Sequence, residues 1–114
     1  MIKLVIFDFD GVFTDGKIIF NENGGIIKSY NVKDGTGINL LKENNIQILV
    51  LSGYKYNKSQ ENILKHLEIK HKFDVKDKLT FLKEYIVETN ITFNSIAYMG
   101  DDINDLDCLN NFWK

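Results

Sequence analysis

Short apolar runs rich in Ile, Val and Phe recur along the chain and are separated by stretches of mixed polarity. Four such runs cover residues 3–7, 46–51, 72–75 and 95–99. Runs in which apolar residues follow one another without alternation are typical of parallel strands that are buried on both faces. The pattern therefore predicts four strands of a parallel sheet.

Segments with helical spacing lie between these runs. Residues 37–44, 58–66 and 78–89 show apolar residues at helical spacing, as in the pairs Ile38 and Leu41, Ile63 and Leu67, and Leu82 and Ile86, which predicts a helix with one apolar face in each. Strands that alternate with helices are typical of α/β proteins. We therefore expect a doubly wound, Rossmann-like parallel sheet with helices on both faces.

One segment, residues 17–32, departs from this alternation. Two apolar stretches, 17–20 and 26–30, flank the sequence Asn-Glu-Asn-Gly-Gly at 21–25. Asn and Gly favour tight turns because they tolerate the left-handed backbone that such turns need. The sequence predicts a β-hairpin inserted after the first strand.

Composition narrows the class of protein. The 114 residues are 44% hydrophobic and 26% charged, which suits one core, and we expect a single domain over residues 1–114. A net charge of −2 argues against nucleic acid as the main partner. No run approaches the roughly 20 apolar residues of a membrane span, and no signal-peptide pattern follows the first strand, so we expect a cytoplasmic protein without a membrane partner. The single cysteine, Cys108, is expected to be a small buried residue.

Candidate chemistry begins directly after the first predicted strand, with Asp8, Asp10 and then Gly11. In open α/β sheets, ligands bind at the carboxyl ends of the strands. A single aspartate at such a place is usually a turn or a helix cap. Two carboxylates at this spacing favour a reactive site.

Two further strand ends carry polar residues. Ser52 and Gly53 follow the second strand and could offer a hydroxyl and an N–H to a phosphate, although Ser-Gly is equally common in ordinary turns. The sequence Gly-Asp-Asp-Ile-Asn-Asp at 100–105 follows the fourth strand. One of its acids could cap a helix, but three together repel one another unless a cation lies among them. Oxygen ligands without nearby His or Cys favour Mg²⁺.

All 14 basic residues are lysines, so any bound anion is held by Lys, backbone N–H groups or a metal. Lys78 begins the third predicted helix at the carboxyl end of the third strand. An isolated lysine is usually a solvated surface charge, yet this place makes Lys78 a candidate partner for a phosphoryl group. Together the strand ends hold the groups that phosphoryl transfer needs, namely a nucleophile, an acid or base, a metal site and donors for the oxygens.

The motifs resemble those of the haloacid dehalogenase-like phosphatases, in order and over nearly the whole chain. Residues 8–16 (DFDGVFTDG), 30–38 (YNVKDGTGI) and 100–106 (GDDINDL) are similar to the capless subgroup that contains the 3-deoxy-manno-octulosonate 8-phosphate phosphatases. Related nonulosonate 9-phosphate phosphatases and the phosphatase-like domains of acylneuraminate cytidylyltransferases belong to the same subgroup. The resemblance implies a Mg²⁺-dependent phosphatase that acts on a small phosphorylated sugar acid, with a role in lipopolysaccharide biosynthesis.

The resemblance also implies a role for each matched residue. Asp8 would be the nucleophile that forms an aspartyl-phosphate, and Asp10 would protonate the leaving alkoxide and later activate water. Mg²⁺ would be held by the Asp8 side chain, the Asp10 carbonyl and Asp101. Asp102 and Asp105 would be outer or weaker metal ligands. Ser52, the Gly53 N–H and Lys78 would donate to the transferring oxygens. Asp10 would also contact the substrate.

Three further expectations come from the same resemblance. Hairpins in this subgroup associate in a homotetramer, and the apolar residues of the hairpin here favour an oligomer interface over an exposed ribbon. Family members usually carry Arg after Ser-Gly, where this chain has Tyr54 and then Lys55. Family members also continue through another strand after the acid motif, so we expect the last strand to be missing here and residues 96–99 to form a sheet edge.

Two other functions stay open on the sequence alone. The first is a catalytically weakened or truncated family member that serves as an oligomeric scaffold. The second is a receiver-type signalling domain, which has similar length, acids and lysine. Receivers place adjacent acids after the first strand, whereas here the Asp-x-Asp pair comes first and Gly-Asp-Asp comes last, and this order disfavours the receiver.

Overall fold

The computed structural model describes residues 1–101 and 103–112 of the chain. Its elements, in chain order, are β1 (Leu4–Phe7), β2 (Ile19–Phe20), β3 (Ile26–Ile27), α1 (Val32–Glu43), β4 (Gln47–Leu51), α2 (Lys58–His66), β5 (Lys70–Lys72), α3 (Lys78–Thr89), β6 (Ile96–Met99) and α4 (Leu106–Phe112). Short 3₁₀ helices at Phe93–Ser95 and Ile103–Asp105 precede β6 and α4.

The central sheet is parallel and has the strand order β5-β4-β1-β6. The chain winds from β1 outward through β4 to β5 and then returns to the other side of β1. Strand order therefore reverses between β1 and β6, which is the place where open α/β sheets bind ligands. The predicted doubly wound α/β fold is confirmed. Within the described residues β6 forms one edge of the sheet, as the sequence predicts.

Two apolar layers cover the faces of the sheet because successive strand residues point to opposite sides. In β4, Leu49 and Leu51 join the layer under α3 and α4, whereas Ile48 and Val50 join the layer under α1 and α2. Cys108 is buried in the first layer, as predicted. The β1 strand lies between both layers, and this burial holds the start of the Asp8–Asp10 segment in place.

The first helix begins five residues earlier than predicted, at Val32 instead of residue 37. Two glycines at 35 and 37 favour a loop because Gly is a poor helix former. The side chain of Asn31 overrides this preference, since its oxygen accepts the N–H of Lys33 at 2.8 Å and caps the helix. The predicted hairpin end at residue 32 therefore belongs to α1.

The third strand was predicted at 72–75 and is found at Lys70–Lys72. The apolar residues Phe73 and Val75 suggest that the strand continues. It does not, because Asp74 between them has a left-handed backbone with a φ of 56°. The Val75 N–H then donates to the Ser52 carbonyl at 2.9 Å, which returns the chain toward the end of β4. Three alternating residues, Lys-His-Lys, pair with β4 instead.

The hairpin is present, but its paired strands are only two residues long each. The Asn21 side chain ties the turn by accepting the N–H groups of Asn23 and Gly25. Pairing stops at Lys28 because its N–H donates to the Ser59 hydroxyl on α2 at 2.7 Å instead of to the opposite strand. The predicted stretches 17–20 and 26–30 are therefore longer than the ladder. No helix of the described ranges is long and apolar enough to cross a bilayer.

Candidate active site

The carboxyl ends of β1, β4 and β6 meet at one edge of the sheet. Phe7 pairs with Val50 on one side and with Met99 on the other, so the residues that follow these strands emerge side by side. The Asp8 N–H donates to the Met99 carbonyl at 2.9 Å and extends the ladder by one step. The predicted strand-end groups are thus brought to one edge by the register of the sheet.

A buried ammonium group lies between two carboxylates at this edge. The Nζ of Lys78 is 3.1 Å from Oδ1 of Asp8 and 2.7 Å from Oδ1 of Asp105. Lys78 points inward because it is the first residue of α3, whose start is set by Asp77: its Oδ1 accepts the Thr80 N–H at 3.1 Å. From the sequence alone, Lys78 could be either a solvated surface lysine or part of the site. The structure places it in contact with Asp8, the predicted nucleophile.

Asp105 is wholly buried, and its carboxylate is held by hydrogen-bond donors. Besides Lys78, the Tyr98 hydroxyl donates to its Oδ1, and this tyrosine was not predicted from the sequence. Gly100 leaves the room that this requires, since a Cβ there would lie 2.3 Å from the Asp105 Cγ. Asp105 thus holds the Lys78 ammonium where it contacts Asp8.

Asp101 completes an acidic cluster with Asp8 and Asp105. Carboxylate oxygens of the three residues lie within 4.8 Å of one another. Gly11 permits this approach because a Cβ at its position would lie 1.5 Å from Oδ2 of Asp101, and its φ of +80° is itself unfavourable for other residues. An all-oxygen donor set of this size fits Mg²⁺ or another hard divalent cation.

The environment of Asp8 changes its acidity. Burial raises the pKa of its carboxyl to about 6, Lys78 opposes the rise and the charge of Asp105 adds to it. The Phe9 N–H also donates to Oδ1 at 2.8 Å and favours the ionised form. At neutral pH Asp8 is a carboxylate with little solvent around it, which is the state a nucleophile needs.

The Asp10 carboxylate is bound by Lys28, a residue that sequence reasoning missed. The Nζ of Lys28 is 2.8 Å from Oδ1 and 2.9 Å from Oδ2 of Asp10. A signal for it was available in the hairpin, because Lys28 alternates with Ile26 and Tyr30 and so shares their inward face. A lysine on a buried face needs an anionic partner.

Ser52 and Gly53 lie at the end of β4, next to β1, as the sequence predicts. Ser52 is buried, and its hydroxyl accepts the Tyr54 N–H at 3.3 Å, while the Gly53 carbonyl accepts the Nζ of Lys76 at 2.6 Å. Their contact with a phosphate stays a prediction. Asp102, the other predicted outer ligand, lies outside the described residues.

Known proteins are similar to this chain in sequence. The chain is 42% identical over 106 residues to the 3-deoxy-D-manno-octulosonate 8-phosphate phosphatase of Haemophilus influenzae, and 35% identical over 105 residues to that of Salmonella typhi. These matches cover 92% and 91% of this chain but 58% and 55% of the relatives, so the chain spans little more than half their length. No protein-family model matches the chain.

Solved structures agree with the sequence relatives. The phosphatase of this type from Moraxella catarrhalis, solved with magnesium, phosphate and 3-deoxy-manno-octulosonate, superposes with a TM-score of 0.90 at 33% identity. It is matched over 96% of this chain and 63% of its own. The cobalt-bound enzyme from Haemophilus influenzae gives 0.87 at 36% identity, over 96% of this chain and 64% of its own.

The chain belongs to the haloacid dehalogenase-like superfamily. Its fold is the superfamily's α/β fold, and Asp8, Asp10 and Asp101 follow the ends of β1 and β6, where the sequence resemblance puts the superfamily's acid motifs. The bound ions in the two solved neighbours belong to those proteins, while the acidic cluster here offers three carboxylates that could hold a cation.

Proposed function

We propose that the chain is a Mg²⁺-dependent phosphomonoesterase that hydrolyses a small phosphorylated sugar acid resembling 3-deoxy-manno-octulosonate 8-phosphate. One observation carries the reaction class: Asp8 contacts the buried ammonium of Lys78 at the strand end and lies beside two further carboxylates. The substrate class rests on the names of the relatives at 42% and 35% identity. We treat residues 1–114 as one catalytic domain.

Charge explains why this arrangement suits phosphoryl transfer. A carboxylate and a phosphate monoester repel each other, so attack requires cations that contact both. Lys78 contacts Asp8 at 3.1 Å, so it would meet the transferring oxygens once a phosphate reaches Asp8. Asp105 takes part of the Lys78 charge and holds the ammonium at the site before substrate binds.

The proposed reaction has two steps. In the first, an Asp8 oxygen bonds to phosphorus, the bond from phosphorus to the ester oxygen breaks, and the leaving alkoxide takes a proton from Asp10. In the second, water attacks the aspartyl-phosphate and gives its proton to Asp10, which releases inorganic phosphate and restores both acids. Ser52, the Gly53 N–H and Lys78 would bind the three transferring oxygens.

The donor atoms that would hold Mg²⁺ are the carboxylates of Asp8 and Asp101 and the carbonyl of Asp10, with Asp102 and Asp105 further out. The ion would supply positive charge to the phosphoryl oxygens and orient them for in-line attack. The three carboxylates that approach within 4.8 Å support this ligand set in part, since two of its members are among them.

A phosphatase assay tests the proposal. We expect Mg²⁺-dependent release of phosphate from 3-deoxy-manno-octulosonate 8-phosphate, and slower release from p-nitrophenyl phosphate. Asp8→Asn should abolish both, whereas the matched exposed variant Asp74→Asn should leave both unchanged. Absence of metal-dependent release from either ester, at several protein concentrations, would refute the proposal.

Specificity within the sugar acids is proposed to depend on Tyr54. This residue follows Ser-Gly where the family usually has Arg, and its ring lies 4.6 Å from the Nζ of Lys28. A phenol ring cannot bind a carboxylate with two parallel hydrogen bonds as Arg does. Tyr54→Arg should therefore lower KM for acidic sugar phosphates more than for neutral ones.

Assembly and location form part of the proposal. Ile19 and Phe20 on the hairpin are 54% and 64% exposed, and Ile27 is 45% exposed, which supports a homo-oligomer, a homotetramer by resemblance, formed through the hairpin. Sedimentation of the wild type and of Phe20→Ser tests this assembly, because the variant should sediment as a species of lower mass. We also propose a cytoplasmic location, which cell fractionation would check.

The two alternatives predict different outcomes. A catalytically weak scaffold would not be stabilised by Mg²⁺, whereas the proposed enzyme should melt at a higher temperature with the ion. A receiver domain would keep a stable phosphoryl group after treatment with a small phosphodonor and would not turn over. If metal-dependent hydrolysis is absent, the first result would favour the scaffold and the second the receiver domain over the phosphatase.

A further inference from the structure

Lys28 brings a buried positive charge from the hairpin to the carboxylate of Asp10. Its side chain is 0% exposed, whereas that of Asp10 is 28% exposed. The ammonium group bonds to both oxygens of Asp10, at 2.8 and 2.9 Å, and to Oε1 of Gln60 at 3.1 Å. The rings of Tyr54 and Phe9 lie 4.6 and 5.5 Å from Nζ and exclude water from it.

This difference in exposure separates the roles of the two residues. Asp10 is open on one side, so a substrate can reach its carboxylate. The three N–H bonds of the Lys28 ammonium are taken by the two Asp10 oxygens and by Gln60, so none is left for a bound phosphate or sugar. An effect of Lys28 on the reaction must therefore pass through Asp10.

The backbone of Lys28 is also held. Its N–H donates to the Ser59 hydroxyl at 2.7 Å, and that hydroxyl donates to the Lys28 carbonyl at 3.3 Å. Gln60, which bonds to the ammonium, is the next residue on α2 and is itself wholly buried. The start of α2 thus fixes both the backbone and the side chain of Lys28.

We propose that Lys28 is a positioning residue that holds the Asp10 carboxyl group in the orientation for its two proton transfers. The inference rests on the proposed phosphatase function. An aspartate side chain rotates about two torsions, and two hydrogen bonds to one buried donor remove most of that freedom. Lys28 keeps its own protons throughout, and Asp10 exchanges a proton only with the leaving alkoxide and with water.

Rapid-quench kinetics of Lys28→Met test this role, with two esters that differ in leaving group. p-Nitrophenolate leaves without a proton, so the first turnover of p-nitrophenyl phosphate should stay within about 3-fold of wild type, with a burst near one nitrophenolate per chain. Its steady-state rate should fall about 10- to 100-fold because water is no longer activated. For the sugar-acid phosphate the first turnover itself should fall by a similar factor. Lys83→Met on the exposed face of α3 should change neither.

Non-additivity gives a second readout. If Lys28 acts only through Asp10, the double variant Lys28→Met with Asp10→Asn should be no slower than Asp10→Asn alone. Ser59→Ala, which loosens the hairpin anchor and keeps every charge, should show the same pattern as Lys28→Met with a smaller loss. This milder variant decides the question if Lys28→Met does not fold.

The outcomes separate the inference from the function on which it rests. A wild-type chain that releases no phosphate refutes the phosphatase itself. An active wild type whose Lys28→Met and Ser59→Ala variants lose both esters equally, without a burst, overturns the positioning role alone. A rise in KM for the sugar-acid phosphate at unchanged kcat would also overturn it, because that result would make Lys28 a substrate-binding residue.

Discussion

The Nζ of Lys78 lies 2.7 Å from Oδ1 of Asp105, and the side chains of both residues are wholly buried. The same ammonium contacts Asp8 at 3.1 Å, so one positive charge serves two carboxylates. A buried charge without a partner is costly, which makes Lys78 important for stability as well as for chemistry. The pair therefore links the stability of the fold to the state of its acid cluster.

Replacement of Lys78 by methionine should destabilise the chain. Asp8 and Asp105 would then face each other without a buried cation, and the loss of one partner of such a cluster costs about 3–5 kcal/mol. Denaturant titration measures this, and millimolar Mg²⁺ should restore part of the loss because it supplies the missing charge. Lys83→Met is the matched control, and equal stability of the two variants would contradict the prediction.

Gly11→Ala should weaken Mg²⁺ binding. The new Cβ would lie 1.5 Å from Oδ2 of Asp101, so the carboxylate must leave the cluster. Gly24→Ala separates this effect from backbone strain, because its φ of +82° is similar but nothing lies within 4 Å of its Cβ position. Both variants should lose about 1–2 kcal/mol of stability to the left-handed backbone. Calorimetric titration should show weaker Mg²⁺ binding in Gly11→Ala only.

Mg²⁺ affinity should fall below pH 6. Burial raises the pKa of Asp8 to about 6 in the metal-free chain. Above that pH the carboxylate is ionised and binds the ion directly, whereas below it a proton must leave first. Affinity should therefore drop by up to about tenfold for each pH unit below 6. Titrations between pH 5 and 8 check this, and a flat profile across that range would count against it.

Cys108 should be unreactive in the folded chain. The residue is wholly buried, and burial raises the pKa of its thiol to about 11. At pH 8 the thiolate fraction is then lower than that of a free thiol by a factor of about 100 or more. A disulfide reagent such as dithionitrobenzoate should label the native chain at least about 100-fold more slowly than the chain in urea. Labelling of the native chain at the rate seen in urea would show that the thiol is accessible.

The strand ends of the site were predictable because they depend on local pattern. Asp8 and Asp101 each follow an apolar run, and parallel strands bring such positions to one edge whatever the loops do. Lys78 was predictable for the same reason, although its contact with Asp105 was not. That contact depends on the space left by Gly100, which no apolar pattern reveals.

The remaining errors come from side chains that act on the backbone. Asn31 starts α1 over two glycines, Asp74 ends β5 before an apolar residue, and Ser59 takes the N–H that would have extended the hairpin. The polar contacts of Asn31 and Ser59 and the left-handed backbone of Asp74 each outweigh a propensity summed over several residues. Lys28 was missed because its partner Asp10 lies on another element and only the fold brings the two together.

The strand order also sets the timing of assembly during translation. Asp8 directly follows β1, whereas Lys78, which contacts Asp8, and β6, which flanks β1, are synthesised later. At about 5–20 residues per second, the nascent chain carries an unpaired Asp8 for several seconds. The apolar β1 strand lacks its β6 neighbour for the same interval, so it offers a chaperone a binding segment before the acid cluster can form.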